Sequence, residues 1–178
     1  TYLIKLLDSD KTSDILIELD DDVRESILKN LSSKEIAEEL EELDTDDAAD
    51  IVGELPEEIV EEVISEIEDR EHAKDIVDLL RYTENSAGGL MAKELVKVTE
   101  NWNVLTCVKE MRAQAENVTR VHSIDVVDND DKLIGRLSLK DLLTTSTKSP
   151  IKDVYIPKVD RVNVNEKPEE VAKIMSKY

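Results

Sequence analysis

Between residues 1 and 80 the chain repeats every twelve positions, and that period decides what this stretch can fold into. Leu7, Leu19, Leu31, Leu43, Leu55, Ile67 and Leu79 mark the repeat. Nine residues after the first six marks stand Leu16, Leu28, Leu40, Val52, Ile64 and Ile76. Ile15, Ile27, Ile51 and Val63 widen this apolar stripe, while Glu39 and Asp75 break it. Helix-start chemistry follows each mark. Asp8, Asp20, Ser32 and Asp44 are N-cap types whose side-chain oxygens accept from orphan amides. Ser32 and Glu35 have capping-box spacing, and Pro56 sits where a first helical turn tolerates proline. The acidic pairs Asp46–Asp47 and Glu57–Glu58 fall in first turns, where the helix dipole favours negative charge. Each unit therefore reads as a helix of about eight to ten residues plus a tight turn. A helix that short is marginal alone, so neighbours must stack to bury the shared stripe. The expectation is an armadillo-like, right-handed superhelix of short helices over residues 1–81.

Charge separates this repeat from the rest. Residues 1–80 hold 28 Asp and Glu against 7 Lys and Arg, whereas residues 81–178 hold 15 against 16. The acidic half repels nucleic-acid phosphates and anionic headgroups, so no nucleic-acid partner is expected. It attracts cations or basic partners, and divalent ions relieve the self-repulsion of so much like charge. There is no Phe, and aromatic residues make up 3% of the chain, so the core must be aliphatic. Cys107 is the single cysteine, on the apolar stripe of a predicted helix, and reads as a buried structural thiol. No stretch approaches the roughly 20 apolar residues that span a bilayer, and no signal peptide is visible. The chain starts at Thr1 and stops at Tyr178 within a predicted helix, and is read as a soluble part of something longer.

The pattern changes after Tyr82. Ser86-Ala87-Gly88-Gly89 is a breaker, and residues 82–92 read as a hinge. Leu95 to Val98 alternates like a short strand. Val104, Cys107, Val108 and Met111 have helical spacing, so residues 103–116 read as an amphipathic helix. Val121 to Val127 and Leu133 to Leu137 form a predicted hairpin about Asp128–Asp131. Ser138 then N-caps a helix through Asp141, Leu142 and Leu143. After Pro150 the order restarts, with a strand at Val162 and Val164 and a helix from Pro168 to Tyr178. The fold class is thus α + α/β: helical repeat, then β-α-β-β-α over residues 93–149, then the start of a second such module over residues 150–178.

Gly135-Arg136-Leu137-Ser138-Leu139-Lys140-Asp141-Leu142 resembles the closing hairpin and helix of a CBS domain. Glu84-Asn85-Ser86-Ala87-Gly88-Gly89-Leu90-Met91, joining an acidic helical repeat to a CBS domain, resembles the MgtE family of magnesium channels. Leu43-Asp44-Thr45-Asp46-Asp47-Ala48-Ala49-Asp50 is similar to that family's helical-domain motif. The resemblance implies a homodimer formed through CBS domains, attached to its own membrane pore domain at the cytoplasmic face of the membrane. It implies several bound Mg²⁺ ions that bridge acidic helices and CBS domains and shut the pore. Asp46 and Asp50 match bridging acidic positions, and their spacing puts them on one helical face, with the adjacent Asp47 pointing elsewhere. Glu169 matches an acidic position at the start of the second CBS helix. The pattern departs at Lys167 and Ser26, where the family can carry carboxylates. CBS pairs also bind ATP or other adenine nucleotides. By that resemblance Asp141 would hold the ribose, Ser138 would lie near the phosphates, and Pro157, within Ile156-Pro157-Lys158-Val159, would lie near the adenine.

An enzyme is not expected. His72 and His122 have no second histidine at metal-ligand spacing, and no nucleophile–base pair stands out. The alternatives are a helical-repeat scaffold for a protein partner, paired with a CBS adenine-nucleotide sensor, or an adenylate sensor with the acidic half as spacer. The sensor reading predicts rigid-body motion about residues 82–92, with greater separation of the halves when Mg²⁺ is removed.

Overall fold

A computed structural model describes residues 7, 9–115, 121 and 123–177. The predicted N-cap Asp8, Glu116 at the end of the predicted helix, His122 and Tyr178 lie outside the described residues. The chain divides into two compact units, residues 1–93 with 162–178, and residues 94–161.

The first unit is a stack of short helices: α1 (Ser9–Glu18), α2 (Asp21–Leu28), α3 (Ser33–Leu40), α4 (Thr45–Glu54), α5 (Glu57–Glu66) and α6 (Arg70–Leu79). Starts fall where the repeat puts them. Ser32 and Glu35 complete a capping box, with the Glu35 amide donating to Ser32 Oγ at 3.2 Å and the Ser32 amide donating to Glu35 Oε2 at 2.7 Å. Asp20 and Asp44 hold the N-cap positions of α2 and α4, but, unlike Ser32, neither side chain makes the expected capping bond. Pro56 sits at the N-cap, one residue before the first helical position. The sixth start slips by one residue. Asp69 caps α6 by accepting from the Glu71 and His72 amides at 2.9 and 3.1 Å. In α5 the fully buried residue is Val63, with Ile64 half-buried.

The closest helix pairs are α1 with α3, α3 with α5, and α4 with α6. Odd-numbered helices therefore pack on odd and even on even, as stacked two-helix repeats do. Leu16, Leu28, Leu40, Val52 and Ile76 are at most 3% exposed, so the stripe read from the period is the core. The Glu39 interruption is absorbed by hydroxyls: its carboxylate accepts from Ser9 and Ser13, both at 3.1 Å. Its pKa rises because burial outweighs those hydrogen bonds. Glu41 Oε1 accepts from the Glu68 and Asp69 amides, and His72 Nε2 donates to the last carbonyl of α3, Leu40 O, at 3.0 Å. These bonds tie consecutive repeats across orphan helix ends.

The same unit includes α9 (Pro168–Met175), with Pro168 in its first turn and Lys167 as N-cap. The expected strand at Val162 and Val164 does not form. A strand needs a ladder partner, and the contacts of this segment are two single bonds: Gly88 N to Val164 O at 2.7 Å, and Ala87 N to Glu166 O at 2.8 Å. Gly88 is required by close approach. A β-carbon there would lie 2.6 Å from the Tyr82 ring and 3.1 Å from Val164 O.

The second unit is a small α/β module. Strands β1 (Lys97–Thr99), β2 (Ile124–Val127) and β3 (Leu133–Leu137) form one sheet in that order. β1 and β2 are parallel, joined by α7 (Val104–Gln114), as a parallel pair demands a crossover. β2 and β3 form the predicted antiparallel hairpin, closed at Asp128–Asp131, where Asp131 takes φ 58°. The aliphatic core gathers Val96, Val98, Ile124, Val126, Leu137 and the free thiol Cys107, all at most 2% exposed. Burial pushes the Cys107 thiol up to about 11. α8 (Leu139–Thr144) follows directly on β3. Arg136 exchanges backbone hydrogen bonds of 3.0 and 2.8 Å with Ile156, so the returning chain covers the open edge of β3. Gly135 makes room for it, since a β-carbon there would meet the Tyr155 ring at 2.2 Å. No helix among the described residues is long and apolar enough to cross a membrane.

Candidate functional site: an acidic cavity in the helical unit and a capped helix in the β/α unit

Helix α4 carries most of the chemistry of the first unit. Its apolar positions Ala48 and Val52 enter the core, Ile51 borders both core and cavity, and Asp47, Asp50 and Glu54 are turned away from Ala48 and Val52. Those three carboxylates line a cavity of about 500 Å³ together with Asp21, Glu84 and Arg24. Its apolar wall includes Leu19, Leu79 and Tyr82. The cavity lining thus combines carboxylates with apolar side chains.

One cation is built into it. Arg24 has an 11% exposed side chain and grips Glu54 through both Nε (2.9 Å) and Nη2. Nη2 also reaches Asp21 at 2.8 Å, while Nη1 donates to Leu16 O and Leu19 O at 3.1 and 3.3 Å. This planar fork uses bidentate geometry that lysine lacks. It closes the C-terminal end of α1 and pins α2 to α4. The Glu54 carboxylate raises the Arg24 pKa further by hydrogen bonding.

Asp50 is placed differently. The residue is exposed at the cavity, yet partial burial raises its carboxyl above the usual range, and the nearby charges of Glu84 and Asp46 push the same way. Arg24 opposes the shift without cancelling it. Asp50 therefore sits in an uncompensated negative field, the condition that favours an added cation.

Of the predicted metal residues, Asp50 lines the cavity and Asp46 does not, although the Asp46 charge helps raise the Asp50 carboxyl, as their spacing on α4 allows. Asp47 lines the same cavity as Asp50, although the sequence reading turned it away; residues three apart also share a helix face. Glu169 is exposed in the first turn of α9. No three His, Cys, Asp or Glu side chains among the described residues group closely enough to hold a metal by themselves. The donor set nonetheless suits Mg²⁺, which takes oxygen ligands and keeps several waters, so two or three loosely spaced carboxylates serve it. Sequence reasoning missed Asp21, Arg24, Glu54 and Glu84. Arg24 and Glu54 are thirty residues apart, and no local pattern joins them.

In the second unit Ser138 caps α8, accepting from the Lys140 amide at 3.2 Å. Asp141 is half-exposed in the first turn, and Pro157 is exposed just beyond the Ile156–Arg136 bridge. That bridge brings the chain around Pro157 alongside β3, the strand that feeds Ser138.

Comparison with known proteins agrees with this division. Residues 1–85 match the family model described as the MgtE intracellular N domain, and residues 87–147 match the CBS domain. The magnesium transporter MgtE of Thermus thermophilus is 37% identical over 100 residues, which are 56% of this chain and 22% of that protein. The matched part is thus under a quarter of that relative's length. A crystal structure of the cytosolic domain of the Mg²⁺ channel MgtE in complex with ATP is 31% identical. It has a TM-score of 0.89 and covers 99% of this chain and 72% of its own. A crystal structure of the soluble part of a magnesium transporter is 26% identical with a TM-score of 0.85, covering 99% of this chain and 69% of its own. With residues 1–85 matching the MgtE N domain and the cytosolic domain of an MgtE channel matched at 31% identity over 72% of its length, this chain belongs to the MgtE family.

Proposed function

We propose that the chain is the Mg²⁺-sensing regulatory region of a magnesium channel or transporter, working at the cytoplasmic face of the membrane as part of a homodimer. The observation that carries this reading is the carboxylate field around Asp50. It stays uncompensated after Arg24 has bound Glu54 and Asp21. At low Mg²⁺ the acidic helices repel one another and neighbouring acidic groups. At high Mg²⁺ hydrated ions settle between carboxylates, with Asp46, Asp50 and Glu169 as the ligands we assign. The helical and CBS parts are then drawn together and the attached pore closes. Only the free energy by which Mg²⁺ favours the closed arrangement can drive that change.

A calorimetric Mg²⁺ titration at constant ionic strength tests the ligand assignment. The chain is expected to show saturable binding that Asp46→Asn with Asp50→Asn weakens at least tenfold. Glu169→Gln should weaken a separate step. Heats no different from those of added NaCl would overturn the reading in favour of a protein-binding scaffold.

A second ligand is supported by the β/α unit. Ser138 caps α8, Asp141 stands in the first turn of that helix, and the Arg136–Ile156 bridge sets Pro157 alongside the same strand. We assign these three to an adenine nucleotide such as ATP. Nucleotide should then raise the melting temperature of the chain by mass action, and Asp141→Ala should abolish the rise.

A further inference from the structure

Residues 86–93 are fastened to the helical unit at several points, and the last fastening is a lysine. Ser86 is 4% exposed, and its hydroxyl donates to Thr83 O at 2.7 Å while accepting from Gly89 N at 3.2 Å. The Lys93 amide donates to Thr45 Oγ1, at the start of α4, at 3.0 Å. The Lys93 ammonium reaches Asp75 Oδ1 on α6 at 3.2 Å and also bonds Asp78 Oδ2, one turn further on. The three side chains are 22%, 29% and 35% exposed, so this is a partly sheltered pair of ion pairs rather than a solvated surface contact. Asp75 also stands where the apolar stripe of α6 is interrupted.

We propose that Lys93 is a built-in cation, tethered to the chain, which fills the Asp75–Asp78 carboxylate pair and latches residues 86–93 onto α4 and α6 without a metal ion. Two carboxylates a turn apart would otherwise be a place for a divalent ion, because each repels the other and one charge between them satisfies both. The ammonium supplies that charge with three donors and no cost of recruiting an ion from solution. Docking of residues 86–93 is therefore independent of Mg²⁺. The second compact unit starts at the next residue, Glu94. This inference stands whether or not the ligand assignments at Asp46, Asp50 and Glu169 hold.

Amide hydrogen exchange, read residue by residue, tests it on three forms of the chain, each in EDTA and in excess Mg²⁺. In the parent chain the amides of residues 87–93 should exchange at the same slow rate in both. Lys93→Met should speed those amides by roughly three- to tenfold in EDTA, the range for sheltered charge-assisted bonds. Added Mg²⁺ should slow them again by entering the vacated pair. Lys93→Arg should keep the parent rates. Three results would each overturn the proposal. One is a parent chain whose residues 87–93 lose protection in EDTA. Another is a Lys93→Met chain no faster than the parent. The last is an acceleration spread evenly over α1 to α6, which reports lost global stability rather than a released latch.

Discussion

Replacing Arg24 by methionine keeps much of the apolar stem and removes the guanidinium that holds α1, α2 and α4 together. The variant leaves the Glu54 carboxylate, 27% exposed, facing Asp50 and Asp21 with no cation. It also strips two carbonyls, Leu16 O and Leu19 O, of their donor. The Asp21 contact adds little, because that carboxylate is 88% exposed. Losing charge-assisted bonds of this kind costs about 1.5–3 kcal/mol. Adding the half-sheltered carbonyls brings the total to about 3 kcal/mol, below the cost of breaking a fully buried pair. For a chain of this length that lowers the melting temperature by about 6–12 °C. Differential scanning calorimetry of the 178-residue chain reads this directly, with the helical unit as the affected transition. Acidity supplies a second signature. Asp50 is already raised by burial and by its acidic neighbours, and Arg24 is the one charge that lowers it. Its ionised form is thus disfavoured in the folded state and destabilises above the folded pKa. That penalty grows in the variant, shrinks as pH falls below the folded pKa, and is gone only below the ordinary carboxylate pKa. The gap between variant and parent should therefore narrow below neutral pH. Arg24→Met combined with Glu54→Leu should recover most of the loss. A variant within about 0.5 kcal/mol of the parent at neutral pH, the ordinary range for surface changes, would refute this account of the fork.

Other perturbations follow from the same geometry. Ser32→Ala removes one half of the capping box of α3 and should cost about 1 kcal/mol in urea unfolding. Gly135→Ala drives a methyl into the Tyr155 ring and Ile156 O, and should destabilise the β/α unit by about 1–3 kcal/mol. Tyr155→Ala in the same chain should relieve part of that. Cys107, fully buried with its thiol pushed up to about 11, should resist a disulfide exchange reagent at pH 8 until the chain unfolds. Asp50→Asn removes a carboxylate whose pKa is raised, so it should stabilise the chain at neutral pH and make no difference in acid, as thermal melts would show.

The repeat was legible because its period is a packing requirement. Leu16, Leu28 and Leu40 had to be inside if short helices were to persist, and they are. The slip at Asp69 was not legible, since the twelve-residue apolar spacing is unchanged there and only the capping bonds move, to Asp69. The β2–β3 hairpin and the α8 cap were readable from local chemistry, as turn residues and an N-cap serine are specified by near neighbours. The predicted strand at Val162 and Val164 failed because alternation gives only a preference. Pairing decides, and this segment meets Gly88 rather than a ladder. The charged site divides along the same line. Asp46 and Asp50 could be placed on one face from spacing, whereas Arg24–Glu54 and Lys93–Asp78 join residues 30 and 15 positions apart. Gly88 was read as a breaker, and what the fold asks of it is room for the Tyr82 ring.

The central claim is that Mg²⁺, as a specific ion rather than as salt, changes the arrangement of an acidic helical unit and a CBS unit. Small-angle scattering of the chain across a Mg²⁺ titration, with NaCl added to hold ionic strength constant, tests this most directly. The account predicts a radius of gyration that falls saturably with Mg²⁺, does not fall with NaCl, and responds less when Asp46 and Asp50 are both asparagine. Profiles that superimpose with and without Mg²⁺ would contradict it.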